Sequence, residues 1–60
     1  MIEEIKTAIL KAQIPMSIDQ WKLIYHDHQE DVRMAVWELV EEDKIGFDVK
    51  WNIIPRPVGR

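Results

Sequence analysis

The 60-residue sequence predicts a small, mostly helical α+β domain: three helices followed by a C-terminal two-stranded β-hairpin. Three observations carry this. From His28 to Asp43 the apolar residues Val32, Ala35, Val36, Leu39 and Val40 recur at helical spacing and form one stripe. Two shorter stretches with the same period precede it. A run of strand formers interrupted by turn residues follows it.

In chain order, Ile2, Ile5, Ile9 and Ala12, with Ala8 beside them, give a first amphipathic helix over about residues 2–13. Glu3 and Glu4 stand in its first turn and Lys11 near its end, as the helix dipole favours. Pro15 stops this helix and pushes Ile14 toward extended backbone, so Ile14–Met16 can supply a very short strand. Ser17 with Gln20 fits a capping box, and Met16 with Trp21 fits the hydrophobic staple around it. The second helix then runs over about 18–26, with Ile18, Trp21, Ile24 and Tyr25 on one side. His26-Asp27-His28 is a polar break. Asp27 with Glu30 offers a second capping box, which starts the third helix at 28 or 29 and carries it to 43.

Strands are expected near 44–47 and 50–54, with a tight turn around Asp48 and Val49. Pro55 ends the second strand by removing a ladder donor. The reading is one domain over 1–54 and a loose Pro/Arg-containing tail over 55–60. The expected core is Ile2 or Ile5, Ile9, Ile18, Trp21, Ile24, Val32, Val36, Leu39, Ile45, Trp51 and Ile53.

A chain this short buries only about 60% of the surface it exposes when unfolded. Without cysteine it has neither a disulfide nor a thiolate metal site. Its 47% hydrophobic content and three tryptophans argue against disorder. No apolar run approaches the roughly 18 residues of a membrane span, and Glu3, Glu4 and Lys6 break the start too early for a signal peptide. The expectation is a soluble, cytoplasmic protein. Its net charge of −3 is opposite in sign to the usual footprint of a nucleic-acid binder.

The stretches MSIDQWKLIY (16–25) and DVRMAVWELVEEDKIGFDVKW (31–51) resemble a winged helix-turn-helix domain of the bacterial, archaeal or phage regulator kind. The marks are the VRMAVWEL register followed by an acidic pair, a Lys-Ile strand start and an aromatic residue in the returning strand. The resemblance spans residues 2–54. It implies a third helix in the major groove, a wing on a flanking phosphate or minor groove, and a short strand between the first two helices that pairs with the hairpin.

At about 100° per residue, the face of the third helix opposite its apolar stripe carries Glu30, Arg33, Met34, Trp37 and Glu41. Between Gln29 and Asp43 stand six acids (Glu30, Asp31, Glu38, Glu41, Glu42 and Asp43) against the single base Arg33. Such a helix is repelled by a duplex unless only its start enters the groove, where Gln29 can read adenine and Arg33 guanine. Lys50 at the wing and Arg56 beyond it can contact phosphates, with Lys22, His26 and His28 to one side. The plainer explanation is a solvated acidic face, above all for Glu42 and Asp43, balanced by a basic tail of Lys44, Lys50, Arg56 and Arg60.

Met34 and Trp37 point away from the expected core among acids, and both residue types are enriched at the centre of protein interfaces. They read as a partner or dimer patch, joined by Leu23. Alternatively, Trp37 leans over to pack on Trp21, Tyr25 or the hairpin.

Catalysis finds no foothold. Ser17 serves as a cap, Gly46 and Gly59 are too far apart for a phosphate loop, and Glu3-Glu4 and Glu41-Glu42 are exposed neighbours. His26 and His28 read as turn residues rather than metal ligands. No enzyme, cofactor, metal, membrane or small-molecule substrate is expected. Two functions remain. The first is a small transcriptional regulator binding duplex DNA as a homodimer through Gln29, Arg33, Lys50 and Arg56. The second is a protein-binding adaptor or inhibitor, of phage or mobile-element type, using Glu30, Met34, Trp37 and Glu41.

Overall fold

The computed structural model describes residues 1–56. The order is α1 (Ile2–Lys11), β1 (Met16–Ser17), α2 (Ile18–Ile24), a 3₁₀ turn (His26–His28), α3 (Gln29–Glu41), β2 (Ile45–Phe47) and β3 (Asn52–Pro55). α3 is the central element: α1 and α2 both pack against it, and β2 continues from its end. No helix among the described residues is long and apolar enough to cross a membrane.

α1 stops at Lys11, two residues before the sequence-based end, and Ala12 is already extended (φ −64°, ψ 134°). A proline clashes with the carbonyl four residues earlier, which for Pro15 is that of Lys11. α2 opens on the expected capping box. Gln20 N–H donates to Ser17 Oγ at 3.3 Å, and Ser17 N–H donates to Gln20 Oε1 at 2.9 Å. α2 ends earlier than expected, at Ile24, where Tyr25 leaves helical geometry (φ −107°, ψ 53°).

The second capping box does not form. His28 caps α3 without a side-chain bond, because Asp27 lies inside the 3₁₀ turn beside His26 and Glu30 turns to Arg33. α3 closes at Glu41. Asp43 then adopts a left-handed backbone (φ 62°), with Asp43 N–H donating to Val40 O and Lys44 N–H to Leu39 O. This is the Schellman pattern of helix termination, at a residue type that tolerates positive φ.

The hairpin is wider than a two-stranded wing. β1 joins it, giving a three-stranded antiparallel sheet in the order β1-β3-β2. Met16 faces Ile53 and Ser17 faces Asn52, so the short strand sits at 16–17 rather than 14–16, and Ile14 is exposed. Pro55 is the last residue of β3, opposite Ile45, rather than a stop beyond the strand. Arg56 N–H donates to Lys44 O and Asp48 N–H to Asn52 O. Because antiparallel hydrogen bonding alternates, Pro55 presents its nitrogen to the β1 side of β3, beyond the stretch that β1 covers. The rest of the expected tail, residues 57–60, lies outside the described residues.

The core consists of Ile5 and Ile9 from α1, Trp21 from α2, Val32, Ala35, Val36 and Leu39 from α3, and Ile45 and Ile53 from the sheet. Ile2 and Ile18 are partly buried against it. Two expected core residues are exposed instead, Ile24 and Trp51. On α2, Ile24 lies roughly 90° away from the direction shared by Ile18, Trp21 and Tyr25, at ~100° per residue. Trp21 instead stacks on Tyr25, with centroids 6.3 Å apart. Val40, at the edge of the α3 stripe, is also exposed.

Candidate functional site

The outer face of α3 is built by helical spacing around Trp37. Arg33, Met34 and Glu41 stand at i−4, i−3 and i+4 from it, and therefore beside it. Trp37 is 61% exposed and Met34 45% exposed, and with Arg33 they line a shallow notch. No ring contact joins Trp37 to Trp21, Tyr25, Phe47 or Trp51 among the described residues. The expected partner-face residues Glu30, Met34, Trp37 and Glu41 thus share one exposed side of one helix.

The acids of α3 divide between two directions. Glu38 and Glu42 turn to the flank that faces α1 and grip Lys6, whose side chain is only 11% accessible. Lys6 Nζ donates to Glu38 Oε1 at 3.1 Å and to Glu42 Oε2 at 3.0 Å, and Glu3 approaches it at 3.9 Å. Hydrogen bonding to Glu42 and then Glu38 raises the Lys6 pKa against the opposing effect of desolvation. The bond from Lys6 in turn lowers that of Glu42. Asp43 pairs with Arg56 at 3.3 Å, and Lys44 reaches Glu42 at 3.5 Å. Glu42 and Asp43 are therefore ion-paired at the helix end while staying exposed to solvent, with side chains 40% and 73% accessible. Only Glu30, Arg33 and Glu41 bring charge to the outer side.

Of the expected DNA contacts, Gln29 and Arg33 lie one turn apart on α3, and Arg33 and Arg56 each meet a carboxylate. Gln29 is exposed at the start of α3. Arg33 donates to Glu30 Oε1 at 3.1 Å. The Arg56 stem lies over Gly46, where an added Cβ would meet it at 3.4 Å, and its guanidinium is on Asp43. Lys50 makes no ion pair among the described residues. His26 Nδ1 lies 3.2 Å from Asp27 and His28 Nδ1 lies 3.5 Å from Asp31. Among the described residues no three His, Asp or Glu side chains converge as a metal site would need.

A second exposed patch was not anticipated from the sequence. The β2–β3 connection is a four-residue turn, 48–51, in which Trp51 N–H donates to Asp48 O and Asp48 N–H donates to Asn52 O. Asp48 Oδ1 also accepts from the backbone of Lys50 (2.8 Å) and Asn52 (2.9 Å), which with the Asn52 side chain turns its charge inward. These bonds, that from the Asn52 backbone first, lower the Asp48 pKa. Trp51 takes the left-handed position of this turn (φ 65°), a place usually given to glycine. The bulge swings its ring out of the strand alternation, leaving it 71% exposed and tilted on Phe47 at 5.8 Å. Val49 at the tip is 96% exposed. The available signal was Asp48 followed four residues later by Asn52, which marks a longer turn than a tight one at Asp48-Val49.

Comparison of this chain with protein-family models, with curated proteins and with solved structures finds no match.

Proposed function

We propose that this chain is a protein-binding domain of winged-helix type whose outer α3 face docks an apolar surface on a partner. The observation that carries the reading is the joint exposure of Met34 and Trp37 on one side of α3 while Arg33 and Arg56 are engaged by carboxylates. Burying two such side chains releases apolar surface from water, which is the usual source of affinity at an interface centre. Glu30 and Glu41 at the rim favour a partner with basic residues around its pocket. The element order, with β1 added to a C-terminal hairpin beside α3, supports the winged-helix type.

The DNA-binding regulator stands as the second reading, supported by Gln29 at the start of α3 and by Lys50 at the wing. Its cost is the loss of the Glu30 and Asp43 pairings before Arg33 and Arg56 can meet phosphate. One set of measurements separates the two. Trp37→Ala should keep the far-ultraviolet circular dichroism of the folded domain and weaken partner capture at least about 30-fold, since interface tryptophans commonly contribute about 2 kcal/mol or more. Arg33→Ala with Lys50→Ala should leave that capture intact. Salt-sensitive binding to mixed-sequence duplex that this double variant flattens would instead establish the DNA reading.

A further inference from the structure

The β2–β3 turn and the outer face of α3 are both exposed and apolar, and the same chain carries both. The turn projects Phe47, Val49 and Trp51 around Lys50, a cation with no ion pair among the described residues. The notch is lined by Arg33, Met34 and Trp37, with Arg33 held by Glu30; Glu41, one turn on from Trp37, is exposed and has no ion pair among the described residues. The charges around the notch, Glu30, Arg33 and Glu41, leave one negative charge in excess, and the tip carries Lys50 beside an Asp48 whose carboxylate is bonded within the turn. The tip is also held at a steric cost. An aromatic side chain at positive φ is disfavoured, and here that conformation leaves Trp51 71% exposed. Strain concentrated at an exposed aromatic residue is the pattern of a surface shaped for contact.

We propose that the Phe47–Val49–Trp51 tip of one copy seats in the Met34–Trp37 notch of a second copy, reciprocally, with Lys50 set against Glu41. The proposal rests on the reading of the α3 face as a protein-binding surface and names its occupant. Area favours reciprocity. A stable interface takes about 800 Å² from each partner, under a fifth of the 4498 Å² this chain exposes. One tip in one notch is a small contact, and closing the pair about a two-fold axis uses each patch twice. A second copy fits better than an anionic lipid surface, because the tip offers one lysine while the chain carries a net charge of −3.

Sedimentation of the full chain over a wide concentration range tests this, with circular dichroism as the check of fold. The wild type should form a closed dimer. Trp37→Ala removes the notch and Trp51→Gly removes the tip, so each variant alone should be monomeric. Their equimolar mixture should regain a weaker dimer, because one intact tip meets one intact notch. Lys50→Glu and Glu41→Lys should each weaken the dimer severalfold, and the two in one chain should restore it. A Trp37→Ala protein that still dimerises implies tip against tip, and a Trp51→Gly protein that still dimerises implies notch against notch. Either result overturns the proposal, as does open-ended growth of oligomers. A wild type that stays monomeric throughout overturns it too, while leaving the docking of a different partner on α3 to be judged by the Trp37→Ala capture experiment.

Discussion

Replacing Trp51 by glycine and by alanine tests the left-handed turn without needing any ligand. Both variants lose the tilted contact with Phe47, worth about 0.5–1.5 kcal/mol. Both also lose whatever burial the covered 29% of the residue provides, the complement of its 71% exposure. At ~200 Å² for a whole tryptophan that is roughly 60 Å², or about 1.5 kcal/mol as an upper bound. These losses cancel when the two variants are compared with each other. What remains is backbone. Alanine keeps the ~1–2 kcal/mol cost of a Cβ at positive φ, whereas glycine is free of it but spends ~0.5–1 kcal/mol more chain entropy on folding. Trp51→Gly should therefore be more stable than Trp51→Ala by about 0.5–1 kcal/mol. At an ordinary strand position the order reverses, since glycine there is the worse residue by a similar amount. The assay is urea unfolding followed by circular dichroism, supported by thermal midpoints, which move about 4–8 °C per kcal/mol in a domain of this size. Alanine more stable than glycine would refute the turn geometry. A loss of ~3–5 kcal/mol in both variants would return Trp51 to the core.

Two further predictions concern the ion cluster and the core. Because the Lys6 pKa is raised, its stabilising contribution is complete below the ordinary 10.5 and is lost as pH climbs through the raised value. Glu42 and Asp48 are lowered, so their contributions are complete above 4.5 and 3.8 and vanish as pH falls through the lowered values. Urea midpoints should form a plateau between about pH 5 and 10, and Glu42→Gln should both flatten the acid limb and bring the alkaline limb to lower pH. Leu39 is fully buried and Leu23 is 74% exposed. Leu39→Ala should cost about 2–5 kcal/mol and Leu23→Ala within about 0.5 kcal/mol; equal losses would contradict the assignment of the core.

What was legible in the sequence is what depends on near neighbours. The α3 stripe repeats every third or fourth residue, and four of its five members are buried. The Ser17–Gln20 box is complete within four residues, and the face carrying Arg33, Met34 and Trp37 follows from helical arithmetic alone. The errors come from longer range or from backbone special cases. Lys6 and its carboxylates are 32 and 36 residues apart, so nothing in the acidic run announced that two of its six acids, Glu38 and Glu42, are turned toward α1. Strand alternation placed Trp51 inside, and a left-handed bulge at a residue other than glycine or asparagine reversed it. The hold of Asp43 on Arg56 depends on how α3 ends relative to β3, a relation that no local pattern encodes.

Pro55 has a bearing on which assemblies are open to this chain. β1 pairs with only the first two residues of β3, and no strand among the described residues pairs with the rest of β3 along that margin. A passing extended segment needs alternating donors and acceptors to lengthen a sheet, and at Pro55 one donor is missing on that side. The margin is thereby blunted against runaway strand addition of the kind that leads to fibres. On that margin an added strand finds little to grip, whereas the outer side of β2, the sheet's other edge, carries no such proline.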